Sequence, residues 1–435
     1  MERFALSRMK EWKENENRKP LIIRGARQVG KTWIMKTFGQ QYVEKTAYVN
    51  FDNNARMKQV FEGDLDIERL VLAISAETGV SIEAENTLII FDEIQEVPKA
   101  LTSLKYFHEN APQYAIVAAG SLLGVALHQG TSFPVGKVDF LDLYPLNFRE
   151  FLCAMGEKQF VSMLDSCDTQ MVTVFKTKYI ERLREYYFVG GMPEVVKDFS
   201  EKKDYNRVRA IQKNLINYYQ QDFSKHAEIK LVPRLNLVWN SIPMQLAKEN
   251  KKYIYGQVRE GSRAKDFELA IQWLLDCGLI HKVQRIQKPD LPLKAYIDFD
   301  AFKLFLVDIG LFIAMTDLDA KVIIEGNKIF TEFKGSLTEQ YILQQLISDV
   351  GVIPYYYSTQ NSKGEIDFLV QGKTSVIPIE VKAEENLKAK SLKAFCEKYQ
   401  PSYAVRTSMS DYREQDWMTN IPLYVIKWIE NYVNQ

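Results

Sequence analysis

One octapeptide limits what this chain can fold into. Gly25-Ala26-Arg27-Gln28-Val29-Gly30-Lys31-Thr32 matches G-x-x-x-x-G-K-[ST] and directly follows the apolar run Leu21–Arg24. Only glycine lets a backbone wrap tightly enough for successive N–H groups to point at phosphate oxygens. A helix leaving the loop adds its positive N-terminal end. Lys31 is expected to reach the β- and γ-phosphates of ATP, and the Thr32 hydroxyl to bind Mg²⁺. The whole loop, Gly25, Ala26, Arg27, Gln28, Val29, Gly30, Lys31 and Thr32, is the expected nucleotide cradle.

The surrounding pattern agrees. Leu21–Arg24, Ala47–Phe51, Thr87–Phe91, Tyr114–Ala118 and Lys137–Leu143 read as strands, with helices near Lys31–Gly39, Leu65–Ala76 and Lys99–His108. Such alternation predicts βαβ units and a parallel sheet covered by helices. Leu88-Ile89-Ile90-Phe91-Asp92-Glu93 carries two acids to the C-terminal edge of a buried strand, where ligands of α/β sheets bind. Asp92 is expected to hold Mg²⁺, and Glu93 to orient the attacking water as base. Ser121, at the end of the next strand, is either a contact to the γ-phosphate or the lytic water, or an ordinary turn residue.

Beyond Asn147 the pattern turns helical up to about Gln220, broken at Gly190-Gly191-Met192-Pro193. Leu231–Glu249 and Ser262–Asp276 are further helical patterns. Ile280–Ile286 and Lys294–Phe299 alternate like a hairpin, which suggests a winged helix. Arg259, Arg263 and Lys265 surround the start of its expected recognition helix, where nucleic acid would be touched. Gly335–Ser348 is helical, Val352–Ser358, Ile366–Val370 and Ser375–Val381 read as strands, Leu387–Lys398 as a helix, and Ser402–Arg406 and Leu423–Ile426 as strands.

Composition excludes several classes. Lys plus Arg equals Asp plus Glu at 56 each, so whole-chain charge lends no support to nucleic-acid binding. The four cysteines are far apart, which speaks against a disulfide frame or a zinc site. The longest weakly polar run, Tyr114–Leu127, falls short of the about 20 residues a bilayer span needs, and residues 1–20 lack a signal-peptide core. The expectation is a cytoplasmic protein without membrane contact.

Together these motifs resemble an AAA-type ATPase. More narrowly, the chain resembles a prokaryotic family labelled only "ATP-binding protein", with a C-terminal domain of unknown function. The residues that carry this are Ile23–Thr32, Asn50-Phe51-Asp52, Asp92-Glu93-Ile94-Gln95 with Pro98, Gly120-Ser121, Tyr144–Phe151, Gly190–Glu194, Gly335 with Glu339, and Glu365-Ile366-Asp367-Phe368. The resemblance implies an ATPase core (1–150), a helical lid (151–225), a winged helix (226–325) and a restriction-endonuclease-like α/β domain (326–435). It also suggests a homo-oligomer formed through the ATPase domain. Where the family often shows Gly-Arg this chain has Gly136-Lys137, and lysine is a non-bidentate substitute. Arg149 is then either a trans-acting finger or a solvated helix residue.

Asp367 on one strand and Glu380-Val381-Lys382 on the next are expected to converge, with Glu380 and Lys382 on one face by strand alternation. Two carboxylates and a lysine suit Mg²⁺- or Mn²⁺-assisted phosphodiester hydrolysis, with Glu339 as a third oxygen ligand. This resembles the D…E-x-K site of restriction-type nucleases. The reading is an ATPase coupled to a DNA-associated, nuclease-like domain. The alternative is an ATP-driven switch whose C-terminal domains bind protein or nucleic acid without cleaving.

Overall fold

The structure is a computed structural model that describes residues 1–120, 133–248, 251–324, 331–359, 364–383 and 389–435. It divides into two compact units. Glu2–Tyr144 with Asp276–Gly278 form one, and Met1, Pro145–Leu275 and Leu279–Gln435 the other.

In the first unit, α1 (Ala5–Glu14), β1 (Leu21–Arg24), α2 (Lys31–Tyr42), β2 (Lys45–Asn50), α3 (Ala55–Glu62), α4 (Ile67–Thr78), β3 (Thr87–Asp92), α5 (Pro98–Asn110), β4 (Ala115–Ala119) and β5 (Asp139–Asp142) follow in order. The strands pair in parallel as β2-β3-β4-β1-β5. Parallel strands are covered on both faces, which explains why β3 and β4 are buried along their whole length. Ala47, Val49, Ile89, Phe91 and Ile116 of the sheet pack against Met57 and Phe61 of α3, Leu70 and Ile74 of α4, and Leu104 and Phe107 of α5. Phe51, Phe61 and Phe91 meet edge to face at 5.3–5.7 Å. Helix α3 was not anticipated from the pattern; its amphipathic turn is set by Asn54, whose side chain accepts from the Met57 N–H.

The second unit begins with helices α6 (Phe148–Ala154), α7 (Lys158–Asp165), α8 (Thr169–Val174), α9 (Lys176–Val189), α10 (Pro193–Lys202), α11 (Tyr205–His226), α12 (Val232–Leu246), α13 (Tyr255–Val258) and α14 (Ala264–Asp276). Asn147 and Glu150 form a capping box that starts α6. The hairpin β6 (Ile280–Ile286) and β7 (Ile297–Leu306) follows, then α15 (Ile309–Met315), α16 (Ala320–Ile324) and α17 (Thr331–Gln345). The remainder is β8 (Tyr355–Ser358), β9 (Glu365–Gln371), β10 (Val376–Val381), α18 (Lys390–Tyr399), β11 (Val405–Ser408), β12 (Arg413–Gln415), β13 (Met418–Pro422) and α19 (Ile429–Val433).

Three sequence readings change here. The hairpin expected to be the wing of a separate module is part of one eight-stranded sheet, β12-β13-β11-β10-β9-β8-β6-β7, because β6 pairs in parallel with β8. Its second strand is Ile297–Leu306, and residues 293–296 form a 3₁₀ turn instead. Leu423–Ile426 is not a strand: the strand is Met418–Pro422, and a 3₁₀ helix spans Leu423–Trp428. Pro422 lacks the N–H that would continue the ladder, so pairing stops there.

The Gly190-Gly191 break is a close backbone approach. Gly191 N–H donates to Asp308 Oδ2 at 2.6 Å, and Leu146 N–H donates to Gly191 O at 2.7 Å. A Cβ on Gly191 would stand 2.1 Å from the Leu146 carbonyl oxygen, whereas one on Gly256 meets nothing within 4 Å. Gly191→Ala is therefore expected to destabilise the protein by about 3 kcal/mol or more, at the upper end of overpacking costs, while Gly256→Ala leaves stability unchanged or improves it. Thermal melts of the two variants check this; equal melting temperatures would refute the crowding argument.

Candidate functional site

The end of β1 turns at Gly25, whose φ of +144° and a 2.1 Å clash between any Cβ and the Leu143 carbonyl admit only glycine. Gln28 and Gly30 take left-handed φ of 66° and 95°. The chain thus wraps back and enters α2 at Lys31. No side chain caps α2 and no acid lies in its first turn. Its first N–H groups are left for an anion. Lys31 Nζ donates to the Gly25 and Ala26 carbonyls, each at 2.9 Å, folding over the loop. Burial lowers its pKa to about 8, against the opposing pull of Glu93 and Asp92.

Asp92 ends β3 and is 3% exposed. Its Oδ2 accepts from the Thr32 hydroxyl at 2.7 Å and from the Tyr48 hydroxyl at 2.8 Å, while Oδ1 accepts from the Glu93 N–H at 3.1 Å. The carboxylate is held on both oxygens. Glu93 adopts φ 51°, a conformation that costs a non-glycine residue about 1 kcal/mol or more, and its Oε2 accepts from Gln95 Nε2 at 2.6 Å. The loop, Lys31, Thr32, Asp92 and Glu93 are thus brought to one edge of the sheet. Thr32 and Asp92 offer hard oxygen donors that fit Mg²⁺. Ser121 lies outside the described residues.

Tyr48 was not singled out from sequence. Ala47 and Val49 of β2 belong to the core under α3 and α4, so alternation turns Tyr48 to the α2 side, where Lys36 Nζ sits 3.9 Å over its ring. The available signal was that the strand neighbouring the acid-ending strand carries a hydroxyl one turn of the pleat before its own end.

Neither arginine-finger substitute stands free. Lys137 Nζ is 3.0 Å from Glu109 Oε1. Arg149 is not a solvated helix residue: its side chain is 12% exposed, with Nη1 3.0 Å from Asp349 and Nη2 paired with Asp165.

In the second unit, Asp367 and Glu380 occupy neighbouring strands, and Asp367 Oδ2 accepts from the Val381 N–H at 2.7 Å. Their charged company differs. Glu380, 4% exposed, pairs with Lys382 at 2.8 Å. Asp367 stands with Glu339 of α17, Glu365 of β9, Lys251 and Lys303. Lys251 is ion-paired with Glu339, and Lys303 with Glu365 and, at 3.7 Å, with Glu339. Burial and the Glu339 carboxylate push Asp367 up to about 8. Burial works to lower Lys303, but Glu339, Glu365 and Asp367 outweigh it and keep the ammonium above its ordinary range. Among the described residues no group of three or more His, Cys, Asp or Glu side chains is placed to hold a metal ion. The convergence of Glu339, Asp367 and Glu380 on a Mg²⁺ or Mn²⁺ ion stays an expectation from the sequence; among the described residues the cations beside Glu339 and Asp367 are lysines. Arg259, Arg263 and Lys265 are exposed around the start of α14, interleaved with Glu260, Asp266 and Glu268.

Three family models match separate stretches of the chain: an AAA domain over residues 17–152, a domain of unknown function (DUF8612) over 180–322, and another (DUF4143) over 334–426. Among solved structures the chain is similar to a Walker-type ATPase of Pyrococcus abyssi (14% identity, 72% of this chain and 95% of that one, TM-score 0.44). It is also similar to the Orc1 protein of Aeropyrum pernix in complex with DNA (14%, 72% and 91%, 0.27). A third is the RuvB Holliday junction branch migration motor of Thermotoga maritima (12%, 64% and 87%, 0.28). No curated protein matches. The parallel sheet, the loop after β1 and the AAA match make the N-terminal unit an AAA-type P-loop NTPase domain, followed by a mixed α/β region. No helix among the described residues is long and apolar enough to cross a membrane.

The Tyr48 hydroxyl holds the oxygen of Asp92 that Thr32 also uses. Tyr48→Phe is expected to raise the Mg²⁺ concentration for half-maximal turnover about tenfold, the worth of one hydrogen bond to a charged group, while nucleotide affinity without metal stays unchanged. Turnover titrated with Mg²⁺ at saturating ATP measures it; an unshifted midpoint would take Tyr48 out of the site.

Proposed function

We propose that this chain is a Mg²⁺-dependent ATPase whose turnover drives or gates a C-terminal body that binds nucleic acid. The observation that carries the reading is the 2.7 Å contact between Thr32 and Asp92 at the mouth of the glycine-bounded loop. Bound Mg²⁺ would neutralise charge on the β- and γ-phosphates; Thr32 and Asp92 would hold it. The loop N–H groups and the uncapped start of α2 bind the phosphate oxygens. Lys31 exchanges its two carbonyl partners for phosphate. Glu93, oriented by Gln95, accepts a proton from the attacking water. Ser121 remains the candidate contact to the γ-phosphate, and a homo-oligomer through the ATPase domain the candidate assembly. Metal-dependent cleavage at Asp367, Glu380 and Lys382 is not part of this reading, since Asp367 keeps company with lysines.

Lys31→Ala is expected to abolish nucleotide binding. Glu93→Gln keeps binding and loses hydrolysis by about 100-fold or more. Nucleotide titration and phosphate release measure both; turnover unchanged in Glu93→Gln would remove Glu93 from the mechanism and with it this account of catalysis.

The nucleic-acid part rests on the exposed Arg259, Arg263 and Lys265 around the start of α14. Reversing these three charges to glutamate is expected to weaken DNA binding and lower the log–log salt slope by about three. DNA affinity and salt slope left as in the wild type would make protein, not nucleic acid, the partner of this face.

A further inference from the structure

Two of the acids expected to hold a catalytic metal, Glu339 and Asp367, stand with Glu365 among cations. Glu339 comes from α17, and Glu365 and Asp367 from β9. Lys303 comes from β7 and is fully buried, with its ammonium 3.7 Å from Glu339, paired with Glu365, and 4.8 Å over the Tyr356 ring. Lys251 pairs with the other oxygen of Glu339.

The segment that delivers Lys251 is anchored. Tyr253 N–H donates to Phe302 O at 2.8 Å, its ring stacks on Phe302 at 5.5 Å, and Ile254 N–H donates to Gln245 Oε1 at 2.7 Å. Neither lysine is a surface side chain that has fallen inward. A carboxylate buried as deeply as Glu339 needs a counter-charge, and a lysine built into a strand supplies one permanently. A divalent cation entering the same space would meet two ammonium groups, so its attraction to the Glu339 and Glu365 carboxylates is offset by repulsion at similar range.

We propose that Lys251 and Lys303 are the built-in cations of this site and that the Glu339–Glu365–Asp367 cluster takes no divalent metal.

The test is made on the full chain without nucleotide, with Mn²⁺ as the probe, read by the loss of the free-Mn²⁺ electron spin resonance signal and by the melting temperature. The wild type should show no Mn²⁺ site that depends on Asp367, and no rise in melting temperature with millimolar Mn²⁺ that Asp367→Asn removes. Lys251→Met with Lys303→Met should gain one Mn²⁺ per chain and a metal-dependent rise in melting temperature, both lost again when Asp367→Asn is added. A wild-type Mn²⁺ site that survives Asp92→Asn and disappears in Asp367→Asn overturns the proposal. Should the double lysine variant fail to fold, Glu339→Gln decides. Under the proposal it lowers the melting temperature equally with and without Mn²⁺, because it strands Lys251. A loss seen only when Mn²⁺ is present overturns it. None of these readouts passes through ATP, so they stand apart from the ATPase reading.

Discussion

A strand covered on both faces can carry a charge that lacks a buried partner only at its end, and the N-terminal unit is organised by that constraint. β3 runs through the core as Thr87–Asp92, buried throughout, and its first carboxylate appears at the last residue. There the carboxylate is met by the helix that follows β1, through Thr32, and by the neighbouring strand, through Tyr48. Parallel pairing aligns the strand ends, so Asn50 of β2 and Ala119 of β4 lie in register with Asp92. The phosphate loop opens at the same edge because β1 lies between β4 and β5. Chemistry at this edge follows from burial everywhere else in the sheet.

The second unit meets the same physics with a different solution. Several of its buried polar groups are paired among themselves. Gln340 bonds both the N–H and the carbonyl of Leu306, at 3.0 and 2.7 Å, closing α17 against the end of β7. Gln344 bonds Ile309 N–H and the Tyr186 hydroxyl, and Gln345 accepts from Phe148 N–H. Asp308 accepts from Gly191 and Leu311. Such contacts tie α6, α9, α15 and α17 together, and they specify geometry because an unpaired buried polar group is costly. The lysine–carboxylate cluster beside them belongs to the same economy of charge: an acid too deep for water is matched by a base too deep for water.

Legibility from sequence tracked the range of the interactions. β1, the loop and α2 were readable because glycine geometry, an apolar run and a helix start act over a few residues. The C-terminal end of the sheet was misread at Leu423–Ile426, where an apolar stretch looked like a strand. Pro422 ended pairing one residue earlier, and the stretch buries itself as a 3₁₀ helix instead. The hairpin β6–β7 was seen as a hairpin, but nothing in its alternation announced a third strand, β8, some 70 residues on, at its side.

The sequence alone determined that a phosphate-binding loop and an acid-ending strand are present, since both are local patterns whose residues act through their own backbone. It also determined which acids are candidates for chemistry. Tertiary structure decided what those acids face. Lys251 reaches Glu339 across 88 residues and Lys303 reaches Glu365 across 62, and Tyr48 reaches Asp92 across 44. A carboxylate among lysines and a carboxylate that holds a metal have the same local sequence. The difference lies in which distant side chain supplies the counter-charge, and only the packing of α17, β7 and β9 assigns it.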